Sequence, residues 1–133
     1  MPTKFLNTNV LDNGLIYVQN KVSSSSVLLS LISAYSQGDS YTVVRSNALC
    51  DIALSSADLV LQDGTTSFSR RLTVAQKSGS ASATATNPDL HVAIVDTTNS
   101  EVLAVTDETT NQNISSGNNV TIPSFDIQMN QPV

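Results

Sequence analysis

The chain contains no tryptophan, one cysteine, one histidine and only two glutamates among its 133 residues. Each shortage removes a class of protein. A single thiol, Cys50, cannot close an internal disulfide, so no covalent staple holds the fold. A single histidine, His91, leaves zinc without the clustered Cys and His it prefers. No stretch has the alternating Asp/Asn, Gly and closing Glu of an EF-hand. With aromatics at 5%, the stacking platforms of single-strand nucleic-acid binders and of sugar-binding modules are missing too. Lys and Arg total six, none follows Lys77, and only Arg70 and Arg71 are adjacent. Nucleic acids and anionic membranes are both held through clustered cations, so neither is an expected partner. The longest apolar stretch, Val27–Ile32, is interrupted by Ser30 and is far too short to span a bilayer. No basic, apolar and cleavage-site sequence opens the chain. These features read as a protein made and folded in a reducing cytoplasm.

What fills the gap is uncharged polarity. Charged residues are 13%, against about 25% in average globular chains. Ser 20, Thr 14, Asn 12 and Gln 7 together equal the apolar residues in number. Exposed helices draw on Glu, Lys, Arg, Gln and Ala, so a helical bundle is disfavoured and a sheet protein with Ser/Thr/Asn turns is favoured. A net charge of −5 and frequent apolar runs argue against disorder. The length predicts a single domain over 1–133, with an arm and short helix in 1–24 and a β-sandwich in 26–131. Charge is split along it. Residues 1–77 carry six basic and five acidic groups, whereas residues 78–133 carry six acidic groups and no basic one.

Leu11, Leu15 and Val18 recur at i, i+4 and i+7, which predicts about two turns of helix, although Gly14 and Ile16 weaken it. After the break Ser23–Ser26, Val27–Ser33 reads as a buried strand. Tyr41–Leu49 fits a strand followed by a helical turn, and is left open. Further strand candidates, not all of which need form, lie at Ile52–Leu54, Leu59–Leu61, Arg70–Lys77, Ser82–Thr86, Leu90–Val95, Glu101–Val105, Val120–Ile122 and Phe125–Asn130. Asp63-Gly64 is a common hairpin-turn dipeptide. Strands of period two every eight to twelve residues indicate an all-β sandwich of seven or eight short antiparallel strands, with a jelly roll among the topologies open to it.

No reaction is visible in the motifs. Gly38-Asp39-Ser40 matches the core of the GDSL hydrolase signature, but Asp89-Leu90-His91 has one spacer too few for the partner motif. A lone histidine is too little for Ser/His/Asp catalysis, and a plain Gly-Asp-Ser turn is the simpler reading. His91 alternates with Ala93 and Val95, as a hydrogen-bonded packing residue of a strand would. Asp39, Asp58 and Asp63 could meet around a cation only if a register unseen in the sequence brought them together. Asn113-Ile114-Ser115 and Asn119-Val120-Thr121 match the glycosylation sequon, as chance allows in a chain so rich in Asn, Ser and Thr. No catalytic, cofactor or metal residue is assigned.

Several segments in order nevertheless carry a likeness. They are Val10-Leu11-Asp12-Asn13-Gly14-Leu15, Ala53–Leu59 with Asp63-Gly64, Arg70–Ala75, Ala83-Thr84-Ala85-Thr86 and Leu90–Asp96. Ser116-Gly117-Asn118, Val120–Ile127 and Pro132 complete the series. Over about residues 9–132 the chain resembles a family of small virion structural proteins of tailed bacteriophages and prophages. The resemblance implies a capsid cement or decoration role, in which a β-sandwich binds the outside of the major capsid lattice as a homo-dimer or homo-trimer and stabilises the head, without a cofactor. The family's Ala-Thr-His-x-Ala turn is replaced here by the longer Asn87-Pro88-Asp89-Leu90, so no role passes to His91. The charge split suggests that Phe5, Leu6, Arg70 and Arg71 face the shell and the acidic C-terminal part faces solvent. Phe5 and Leu6 could equally cover an edge of the domain's own core. A tail-associated or receptor-binding β-domain and a small hydrolase using Ser40 are the competing readings.

Overall fold

Alternating apolar residues build nine strands in this computed structural model, which describes Phe5 and residues 8–108 and 110–132. The strands are β1 (Val27–Ile32), β2 (Ala48–Ala53), β3 (Leu59–Asp63), β4 (Arg70–Val74), β5 (Lys77–Ser80), β6 (His91–Asp96), β7 (Glu101–Asp107), β8 (Asn119–Ile122) and β9 (Phe125–Met129). All pairings are antiparallel, in a four-stranded sheet of order β2-β1-β6-β7, a three-stranded sheet β3-β4-β9 and a pair β5-β8. The all-β, sandwich-like architecture expected from the period-two pattern is therefore present. Three pairs are nested: β4 with β9 outermost, then β5 with β8, then an Ala85–Ile114 bridge, and β6 with β7 innermost. That is a folded-over ribbon, the connectivity that jelly rolls share, with β1, β2 and β3 added outside it.

The core follows from register. In the four-stranded sheet, Leu29 stands opposite Ile94 and Leu31 opposite Val92. In the three-stranded sheet, the rows Leu59–Val74–Phe125 and Leu61–Leu72–Ile127 cross all three strands. These rows belong to one apolar cluster. A second, smaller cluster lies on the other face of the four-stranded sheet, where helix α2 (Tyr41–Ser46) sets Val44 among Ile32, Ala93 and Val95. Tyr41–Leu49 thus resolves as a helix leading into β2, the reverse of the strand-then-helix order that the sequence suggested.

Helix α1 (Thr8–Ser24) runs for 17 residues, longer than the two turns legible in the sequence. Val22 continues the series Leu15 and Val18, and all three enter the main core. Gly14 lowers helix propensity but has a packing reason, since a Cβ there would lie 2.9 Å from Met129 Cε. The helix ends where Ser23 and Ser24 return their hydroxyls to the Asn20 carbonyl.

Two expectations are corrected. The Ser/Thr–Ala alternation of Ser82–Thr86 is not a strand; only Ala85 pairs there, and the ladder lies earlier, at β5. That strand has almost no apolar signature because its inward position is Gly79, whose missing side chain admits Ile52 and Cys50. Asp63-Gly64 does not form a tight turn either. The β3–β4 connection spans 64–69, and the left-handed residue in it is Phe68, at φ +59°.

The two glycines make opposite predictions for one chemical change. Gly14→Ala meets only the tip of a flexible, part-exposed Met129, so the gain in helix propensity prevails and stability rises by about 0.5–1 kcal/mol. Gly79→Ala drives a methyl into buried Ile52 and costs about 1–3 kcal/mol. Urea denaturation of the two variants checks both signs.

Candidate functional site

The loop 64–69 holds Phe68 rigidly outward. The Ser69 hydroxyl donates to the Thr66 carbonyl at 2.7 Å and accepts from the Thr66 amide at 3.2 Å. The Gly64 amide donates to the Ser69 carbonyl, the Thr65 amide to Gln128 Oε1, and Gln131 Nε2 to the Phe68 carbonyl. A phenylalanine at positive φ is a backbone outlier, and such positions persist only where the surroundings over-determine them. Phe68 is 67% exposed as a residue, and its aromatic neighbour is Phe5, itself 56% exposed, edge-on at 5.7 Å between centroids. Phe68 on its braced loop, with the Phe5 ring edge-on against it, makes an apolar projection.

Of the other residues expected at an interface, Leu6 lies outside the described residues. Arg70 is turned to internal use: its Nε donates to Asp12 of α1 and its Nη1 to Asp63 of β3, both at 2.7 Å. Arg71 lies on the outer face of the three-stranded sheet, where it binds Asp126 at 2.8 Å and the Asp63 carbonyl. The structure thus places Phe5, Arg70 and Arg71 around one sheet, with the aromatic pair as its exposed part. Phe68 was the residue missed. Its only sequence signal is an aromatic in a Thr/Ser loop, which does not distinguish it from a core residue.

Ser40 and His91 are engaged separately. Gly38-Asp39-Ser40 forms a turn, with the Ser36 amide donating to Asp39 Oδ2 and the Asp39 amide to the Ser36 carbonyl. Ser40 then caps α2, its hydroxyl accepting from the Val43 amide at 3.3 Å. His91 opens β6 beside Tyr35, with Nδ1 3.0 Å from the Asp89 carbonyl oxygen and Nε2 3.7 Å from Asp107 Oδ1. The acids suggested as a cation site do not converge. Asp58 binds Lys77 and the Ser55 amide, Asp63 binds Arg70, and Asp39 closes its own turn. A cleft of about 360 Å³ opens under the 108–123 segment, with Leu31, Leu90 and Val92 as its floor and Glu108, Asn113 and Asn118 at its rim. Cys50 is fully enclosed, and burial pushes its thiol up, so it is a packing residue.

No protein family, curated protein or solved structure matches this chain. No helix among the described residues is long and apolar enough to cross a membrane.

The carboxylates divide by their partners. The bidentate Arg45 contact at 2.8 and 2.7 Å holds Asp51 below the usual carboxylate range. The Ser55 amide, with Lys77, does the same for Asp58; the Thr73 hydroxyl, with Arg71, does it for Asp126. Burial opposes ionisation of Asp96, but donors from Asn99 and Thr98 and the charge of Lys21 outweigh it. Because the folded values lie low, the unfolded chain binds more protons in acid. The stability these four groups contribute is complete above about pH 4 and is lost as pH falls through their folded values. The urea midpoint should fall steadily below about pH 4, and less steeply in Asp96→Asn, which keeps an acceptor but no charge. A midpoint unchanged in acid would contradict the assignment.

Proposed function

We propose that this chain is a virion structural protein of the tailed-phage type, a capsid cement protein that docks on the outer surface of the major capsid lattice and stabilises the head. The observation that carries the reading is the Phe5–Phe68 pair, both residues more than half exposed, with Phe68 held by its hydrogen-bonded loop. Interface energy concentrates in a few preorganised aromatic anchors, and a ring already fixed in its bound geometry loses little entropy on docking. That Phe68 is itself exposed weighs against the alternative in which Phe5 merely covers a core edge. The segment 78–133, acidic and without a cation, then supplies a soluble outer face. The likeness in motif order and the sandwich-like fold support the same reading.

Self-association on the particle belongs to this proposal, and charge selects the edge. Two copies of β7 paired antiparallel about Ala104 would set Glu101 against Asp107 twice, a repulsive match. Two copies of β3 paired about Leu61 set Leu59 against Asp63 and the exposed Val60 against Gln62, with no like charges opposed. Within this proposal β3 is the self-association edge, and its two-fold pairing favours the homo-dimer over the homo-trimer.

The decisive experiment is quantitative proteomics and imaging of the purified particle. Many copies spread over the head are expected, whereas a few copies at the tail would overturn the cement role. On isolated shells, deletion of residues 1–8 or Phe68→Asn should weaken binding at least about tenfold. Asparagine tolerates the left-handed backbone, so the second variant removes the ring and leaves the loop folded. Normal decoration by both variants would remove the aromatic pair from the contact.

A further inference from the structure

We infer that Asp89, His91 and Asp107 form a binding site for a divalent first-row transition metal ion of the zinc class. Their position follows from β geometry. Asp89 lies two residues before His91, in the segment that leads into β6, and Asp107 stands directly opposite His91 in the β6–β7 register. One donor atom from each of the three lies within 4.8 Å of the others.

The state of the imidazole carries the argument. A backbone carbonyl can only accept, so the 3.0 Å contact of Nδ1 with the Asp89 carbonyl oxygen puts the ring proton on Nδ1. Nε2 then presents its lone pair toward Asp107 Oδ1, at 3.7 Å, while Asp89 Oδ1 lies 3.9 Å from Nδ1 and has to rotate about its own side chain to join the Nε2 side. Two acceptors face each other at a separation too long for a hydrogen bond and close to that between neighbouring ligands of one small ion. A backbone carbonyl on the far nitrogen is the usual outer-shell support of a metal-bound histidine. The ring side chain is 15% exposed and flanked by Tyr35, so it is already oriented, while the two carboxylates are each 64% exposed and free to turn inward.

Charge balance points the same way. Among the described residues, Lys21 faces Asp96, Arg45 binds Asp51, Arg70 binds Asp12 and Asp63, Arg71 binds Asp126 and Lys77 binds Asp58. Asp89 and Asp107, with Glu108 next along the chain, have no Lys or Arg partner there. A nitrogen donor beside two carboxylates suits zinc-class ions better than calcium or magnesium, which take oxygen. Three protein donors leave a fourth tetrahedral position for water or an outside ligand.

His91 is the chain's only histidine, so its ring signals report the site without ambiguity. Titration of the full chain with ZnCl₂, followed by NMR of the imidazole C–H resonances and by calorimetry, should give one ion per chain and saturating shifts of those signals. Calcium chloride should leave them unmoved. His91→Ala and Asp107→Asn should each weaken binding at least about tenfold, while Asp39→Asn, at the exposed turn, should not. Imidazole signals that do not respond to one equivalent of Zn²⁺ would overturn the proposal, and so would full affinity in His91→Ala. Equal responses to calcium and zinc would overturn the assigned class. None of these outcomes bears on shell binding, which stands or falls on the Phe68 variant.

Discussion

The fold depends on α1 acting as a strut between the two larger sheets. Asp12, near its start, is tied to Arg70 of the three-stranded sheet at 2.7 Å. Lys21, in its last turn, faces the fully buried Asp96 of the four-stranded sheet at 3.8 Å, and Tyr17 donates to Glu101 at the start of β7. Between these ends Leu15, Val18 and Val22 enter the same apolar cluster as Leu29, Leu72 and Ile94. A three-stranded sheet cannot cover a four-stranded one alone, and the helix closes the remainder. Arg70 therefore has a structural duty wherever the protein docks, because releasing it would free both Asp12 and Asp63.

The sheet class was legible because period-two alternation survives wherever one face is buried. β6 and β9 stand close to where the pattern puts them, and the run Leu90–Val95, apolar except for His91, marks a central strand. Failures came where contact geometry replaced hydrophobicity. β5 has an inward glycine in place of an apolar residue, where Ile52 and Cys50 approach closely, and the length of α1 is masked by Gly14, which lowers helix propensity. The candidate sites were less legible still. Asp89-Leu90-His91 was visible as a spacing, but its third member depends on the β6–β7 register, which a one-residue slip would have turned to the other face. Phe68 was invisible because exposure of a phenylalanine is a tertiary fact.

Scarcity of charge shapes the rest. With so few ions, the outer face of the three-stranded sheet is laced by neutral groups around one ion pair: Gln62 donates to the Thr73 hydroxyl, which donates to Asp126, which also binds Arg71. The Asp96 turn works likewise, with Thr98 and Asn99 satisfying a buried carboxylate that a single distant lysine would leave costly. Free strand edges, which most sheets guard with lysine, are guarded at β7 by acids at both ends.

Seen this way, most polar side chains have a folding explanation, and the exceptions gain weight. The Phe5–Phe68 pair covers less than half of either ring while the backbone holds Phe68 in a conformation unfavourable to it. The Asp89–His91–Asp107 group faces acceptor to acceptor in the half of the chain without a cation. Neither arrangement helps the isolated domain fold: exposed rings gain little from burial, and opposed acceptors repel. On the proposals made above, an apolar surface would bury the first and a positive ion would satisfy the second. The first projects from the loop between β3 and β4, and the second sits at the β6–β7 pair of the other sheet.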